Sequence, residues 1–206
     1  MTAVDLKRSL RALYSAPRAP EFLTVPPRPY LLVDGAGEPG GTAYLDAVTS
    51  LYPVAYALRA AVKEETGTAY TVMPLEGLWW AEEIERFREL PRSAWLWTMM
   101  ISLPEEVSAV PAAEIIERTT AARDLPADVR LEQFGDGEAA QVLHVGPYSA
   151  EAPTVDALHA FIEGSGRALA GRHHEIYLSD PRRVAPERLR TIIRQPVSSA
   201  AVDSGG

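Results

Sequence analysis

The chain contains no cysteine. Disulfide bonds and thiolate metal sites are therefore excluded, and a reducing cytoplasm is the expected setting. Basic residues are also in short supply: 20 Lys and Arg stand against 28 Asp and Glu, a net charge of -8. A nucleic-acid surface needs the opposite balance, so none is expected, and the charge suits neutral or cationic ligands. No apolar run is long enough to span a bilayer, and MTAVDLKRSLRALYSAPRAP lacks the apolar stretch of a signal peptide, so no membrane partner is expected. Phosphate-cradling loops are missing as well. DGAGEPGG follows a candidate strand, but it lacks the GxGxxG order and Pro39 interrupts it. VGPYS does not frame its serine as a nucleophile elbow does. His173 and His174 are adjacent and would face opposite ways in a strand, and His144 and His159 share no motif with them, so no metal and no cofactor are expected.

What is present is an ordinary globular composition, 47% hydrophobic and 23% charged over 206 residues, enough to bury a core. A proline-dotted lead-in over residues 1–28 carries a short helix around Leu6 to Tyr14. PYLLVDG reads as a strand. Thr42 then caps a long helix with apolar positions Tyr44, Leu45, Val48, Leu51, Ala55, Leu58 and Val62, and Pro53 should kink it. TAYTVMPLEGLWW and AWLWTMMISL read as strands flanking a short charged helix in AEEIERFREL, and PAAEIIERTTAAR as a helix opened by Pro111. VRLEQF and AAQVLHV flank GDGE as a hairpin; PTVDALHAFIEG is a helix; HHEIYLS and TIIRQPV close the chain as strands. Each half thus reads strand, helix, two strands. The expected fold is α+β, one domain of two similar halves whose antiparallel sheets meet around a cleft.

Strand parity sorts the chemistry. In HHEIYLSD, His173, Glu175, Tyr177 and Ser179 share a face, while His174, Ile176 and Leu178 take the other. In LEGLWW, Glu76, Leu78 and Trp80 share one face and Leu75, Gly77 and Trp79 the other; in AWLWTMM, Trp95, Trp97 and Met99 go together. Aromatic walls around one carboxylate suit a flat apolar or cationic ligand. Bland readings stand beside this one. A tryptophan pair in a strand is commonly core. Glu175 has two readings: an ion pair held by Arg182, Arg183 or a histidine, or an acid aimed at a ligand. Glu76, next to a glycine, has the plain reading of an acid that ends a turn.

The runs PYLLVDGAGEP, SLYPVAYALR, VMPLEGLWW, AWLWTMMI, LHVGPYSAEAPTV and HHEIYLSDPRRVAPERLRTIIRQPV together resemble the GyrI-like small-molecule-binding family, over about residues 5 to 197 and nearest its stand-alone members. The resemblance implies two β-α-β-β units, the SHS2 module, related by a pseudo-twofold, over about residues 29–110 and 128–197 of a domain spanning 29–197, with 198–206 a flexible tail. Relatives of this kind include effector domains of multidrug-sensing activators, gyrase-inhibiting proteins, and hydrolases of cyclopropanoid genotoxins of the yatakemycin and duocarmycin type. Glu175 falls where those effector domains place the glutamate that meets cationic drugs. Pro53 departs from the family pattern, which has a serine or similar residue there.

Two functions from different classes follow. In one, a cyclopropyl hydrolase, Glu175 activates water, with Tyr177 or Tyr148 assisting; in the other, the same pocket captures ligands without chemistry. Both place the ligand among Trp80, Trp97, Tyr56, Glu76, Tyr30, Met99 and His144. The expected partner is a small hydrophobic or cationic aromatic molecule.

Overall fold

Alternating apolar residues make the central strands, and 3-4 spaced apolar residues make the two helices that cover them. The computed structural model describes residues 6–81 and 90–199. The chain runs through α1 (Leu6–Ser9), α2 (Arg11–Tyr14), β1 (Glu21–Val25), β2 (Arg28–Ala36), α3 (Thr42–Thr66), β3 (Leu75–Trp80), β4 (Leu96–Ser102) and α4 (Ala112–Arg123). The second half follows as β5 (Arg130–Phe134), β6 (Gly137–Val145), α5 (Ala152–Gly164), β7 (Arg167–Leu169), β8 (His173–Tyr177) and β9 (Arg190–Ser199). Residues 82–89, which hold nearly all of the charged helix expected in AEEIERFREL, and the end of the tail lie outside the described residues. β9 itself reaches Ser199, pairing Ser198 and Ser199 with β7, so the tail begins later than expected. No helix among the described residues is long and apolar enough to cross a membrane.

In α3, Ala47, Leu51, Val54, Ala55, Leu58 and Val62 are buried along one face, which is the stripe expected of a helix laid on a sheet. Gly41, not Thr42, is its N-cap, in an extended conformation; Gly67 ends it in the left-handed region, giving its N–H to Lys63 O at 3.0 Å. The helix continues through Pro53 for its full 25 residues.

The strand order is β1-β6-β9-β8-β3-β4-β2-β5, all antiparallel. Only Pro26 and Pro27 separate β1 from β2, yet in that order they lie six strands apart. Six spacings in a flat sheet span about 29 Å, whereas Val25 and Arg28 can be at most about 11 Å apart. The sheet therefore curls. VRLEQF and AAQVLHV are accordingly not a hairpin: β5 pairs with β2, and β6 with β1 and β9. Gly135 serves the crossing of the two arms. A Cβ there would lie 2.6 Å from Pro27 N and 2.7 Å from Pro26 C, so only glycine admits this backbone approach.

The two halves match element for element in chain order. Moving β1 and β2 by 109 positions reproduces the bounds of β5 and β6; Leu75 at the start of β3 answers to His173 of β8, and Leu96 of β4 to Arg190 of β9. Strands β3-β4-β2 of one half and β8-β9-β6 of the other meet between β3 and β8. Each half also lends its first strand to the other half's edge.

The sheet has two unlike faces. On one, α3 lies over β2 and β4, and α5 over β6 and β9, with β3 and β8 running between the two helices. The other face is enclosed by the crossing arms and by the N-terminal helices. Two carboxylates and two cations meet there. Glu76 takes hydrogen bonds from Tyr14 OH at 2.6 Å and Tyr30 OH at 3.4 Å, and faces His174 Nε2 at 3.0 Å. His174 Nδ1 lies 2.8 Å from Asp136, which also faces Arg194 at 3.4 Å; Arg194 in turn donates to Leu13 O at 2.6 Å. Both ring nitrogens of His174 point at carboxylates, so the ring is an imidazolium. Burial alone would drive its proton off, but Asp136 and Glu76 outweigh that and hold the group up to about 9. Glu76 thus ends no turn. It is a buried strand residue tied into a charge-balanced core.

Candidate functional site at the join of the two halves

At the centre of the helical face, Gly77 of β3 lies directly opposite Glu175 of β8. The repeat correspondence carries one onto the other, so the pseudo-twofold axis passes between them. It also carries Trp79 onto Tyr177, Trp97 onto Thr191, and Gly35 onto His144. One half supplies indoles and the glycines that make room for them. The other supplies a carboxylate, a phenol, a hydroxyl and an imidazole.

The indoles need those glycines. A Cβ on Gly35 would sit 2.1 Å from the Trp97 ring, and one on Gly77 would sit 2.8 Å from Trp79 Nε1. Trp79 is consequently free to donate from Nε1 to Tyr177 OH at 3.0 Å, and Tyr177 donates in turn to Glu175 Oε2 at 2.8 Å. The other oxygen of Glu175 faces His173 Nε2 at 3.3 Å. This chain from indole to phenol to carboxylate fixes the Glu175 rotamer. Burial first, and then the Glu175 carboxylate, hold the Tyr177 phenol well above its ordinary range, so its proton stays in place. Of the partners the plain reading allowed Glu175, the structure supplies the histidine, His173, and not Arg182. Arg182 is taken by Asp180, in two contacts of 3.0 and 2.9 Å.

Rings surround the carboxylate. Tyr44 from α3 stacks on Trp79 with centroids 6.2 Å apart and planes at 18°, and Trp95 meets Trp79 edge-on at 5.8 Å. Tyr148, in the turn before α5, meets Tyr177 edge-on at 5.7 Å. Burial, then Glu151 and Glu175, push the Tyr148 phenol up to about 12.

The structure brings Glu175, Tyr177 and Tyr148 together on the helical face. Trp97 and Met99 occupy the same face but are fully buried beneath α3, a floor rather than a wall. His144 shares the face too; it holds Thr154 Oγ1 at 2.9 Å and faces Pro147 O at 3.3 Å, and so anchors the start of α5. Trp80, Glu76 and Tyr30 lie on the opposite face, where Arg172 stacks over Trp80 at 3.8 Å. Tyr56 stands 57% exposed on the outer side of α3. The sequence does not single out Trp79, Tyr44, Glu151 or Thr191. Parity did put Trp79 on the face of Gly77, which is the one signal that pointed to it.

The sequence pattern of the GyrI-like small molecule binding domain matches residues 18–198. The chain belongs to this family. The match begins before the expected boundary at residue 29, because β1 is part of the sheet. The GyrI-like domain is similar to an uncharacterized conserved protein from Listeria innocua, at 37% identity and a TM-score of 0.84, covering 95% of this chain and 100% of that one. It is also similar to a hydrolase from Listeria innocua, at 36% identity and a TM-score of 0.82, covering 96% and 100%. The likeness to the EcmrR C-terminal domain, at 12% identity and a TM-score of 0.54, covers 87% of this chain and 97% of that one, and shows a shared fold alone. No curated protein matches the chain.

Proposed function

We propose that the helical face between α3 and α5 takes a flat aromatic, hydrophobic or cationic molecule and hydrolyses an electrophilic cyclopropane on it, as in cyclopropanoid genotoxins of the yatakemycin and duocarmycin type. One observation carries this reading: a carboxylate held by Tyr177 and His173 at the foot of the Trp79 and Tyr44 stack. The likeness to a hydrolase from Listeria innocua supports it. Glu175 takes a proton from water as the water oxygen bonds to the ring CH2. The strained C–C bond breaks, and its electron pair passes through the conjugated ring to the carbonyl oxygen. Tyr177, whose proton is committed to Glu175, aims the base; the rings hold the electrophile in line. A reducing cytoplasm suits such a detoxifying task. The test is turnover of a cyclopropane-fused dienone in heavy-oxygen water. Label in a ring-opened alcohol, lost with Glu175→Gln, is the expected result.

The same ring-lined carboxylate favours a second reading, capture of a lipophilic cation without chemistry. Stoichiometric binding with the compound unchanged would select it.

A further inference from the structure

Glu151 is a second carboxyl at this site, near the Thr191 hydroxyl and Arg92. It stands at the N-cap of α5, where an acid ordinarily bonds the first free N–H groups, yet it makes no side-chain cap hydrogen bond. It is 8% exposed, and its Oε1 is buried with no hydrogen-bond partner among the described residues. Thr191 Oγ1 is likewise buried, and Glu151 is the polar group it faces. Thr191 is fully buried on the helical face, opposite Tyr177 in the sheet. The Thr191 hydroxyl lies near enough to Glu151 to favour its charged form, yet Glu151 Oε1 is left without a partner among the described residues, and a ligand atom or a single water there would satisfy it.

We propose that Glu151 is the proton donor of the site, working opposite Glu175 as acceptor. This rests on the hydrolase reading. As water attacks and the cyclopropane bond opens, negative charge arrives at the carbonyl oxygen, and the Glu151 carboxylic acid gives that oxygen its proton. The products are an alcohol and a phenol. Glu175 is left protonated and Glu151 ionised, and one proton exchanged through solvent resets both.

The groups around Glu151 agree with the role. Burial first, and then the Glu175 carboxylate on β8, push it up to about 9; the Thr191 hydroxyl on β9 and Arg92 from the turn before β4 oppose this and lose. Tyr148, just before α5, keeps its own proton, and His144 on β6 is engaged by Thr154 and Pro147.

The test pairs carbon-13 NMR of glutamate carboxyls with turnover, using the isosteric Glu151→Gln variant. In the wild-type protein one side-chain carboxyl carbon should titrate near pH 9 and be absent from the variant. If every glutamate titrates below pH 6, the proposal is overturned. With a cyclopropane-fused dienone, kcat of Glu151→Gln should fall by about 10²- to 10⁴-fold, with KM little changed and the alkaline limb of the pH profile gone. An unchanged kcat and a retained alkaline limb would also overturn it. Absence of turnover by the wild-type protein sinks the hydrolase reading and the catalytic task of Glu151 with it, while the NMR titration separately decides whether Glu151 holds a proton.

Discussion

Gly77 and Glu175 are cross-strand partners and also equivalents of one another in the two halves of the fold. A duplicated fold offers two carboxylate positions at its axis, and two carboxylates so close would not both ionise. Here one position is glycine, which leaves a single acid and the space that Trp79 occupies.

Gly77→Ala tests that arrangement. Met99 Cε, 2.5 Å from the added Cβ, is the end of a flexible side chain and can move; Trp79 Nε1, at 2.8 Å, cannot move without breaking its bond to Tyr177. Urea unfolding should show a loss of about 1–3 kcal/mol, and affinity for a flat aromatic ligand should fall with it.

Tyr177→Phe removes the middle of the chain from indole to carboxylate. Trp79 Nε1 loses its acceptor at the cost of about 1–3 kcal/mol, and Glu175 loses the donor that aims it. Turnover should fall by about ten- to a hundredfold. Tryptophan fluorescence should shift even without ligand, which would not happen if Tyr177 only touched the substrate.

Alkali should weaken the protein through the enclosed face. The folded His174 titrates near 9 against 6.5 when unpaired. Its contribution is complete below about pH 6.5 and is lost as pH rises through 9, on the order of 3 kcal/mol. Thermal melts from pH 6 to 10 should show that decline. Asp136→Asn should flatten it while lowering stability throughout, because Arg194 and His174 then share one acid less. On the acid side the order reverses. Burial raises the Asp136 carboxyl, but His174 and Arg194 win and hold it below its usual range, so that share of stability is lost as pH drops below about 4.

Gly135→Ala should be the costliest of the glycine changes, because the added Cβ meets the backbone at Pro26 and Pro27. A loss of at least about 2 kcal/mol is expected in denaturant titration. Gly164→Ala, with nothing within 4 Å of its Cβ in α5, is the control and should be neutral or slightly stabilising.

Within single elements the sequence was a good guide. The stripe of α3, the helix of α5, and the separation of Glu175 and Tyr177 from Ile176 and Leu178 all follow from periodicity. Between elements it was not. Parity divides Trp79 from Trp80 but cannot say which faces Glu175, because that depends on the β3–β8 register, and one residue of slip exchanges them. The sequence thus points to Trp80 where the structure has Trp79. GDGE likewise carries the chemistry of a tight turn, and a two-residue link reads the same whether the strands fold back or run on past a crossing chain. Glu151 gave no signal, since its burial depends on strands that come from other parts of the chain.

The crossing arms have a consequence for how the protein is made. β1 finds its hydrogen-bonding partner only in β6, more than a hundred residues downstream, and β2 waits for β5 to cover its outer edge. During synthesis this arm leaves the ribosome with an apolar strand edge exposed until the second half has followed. Long-range pairing of this kind slows folding and lengthens exposure to aggregation. The first half alone, through residue 126, should therefore be a chaperone client rather than an independently folding unit.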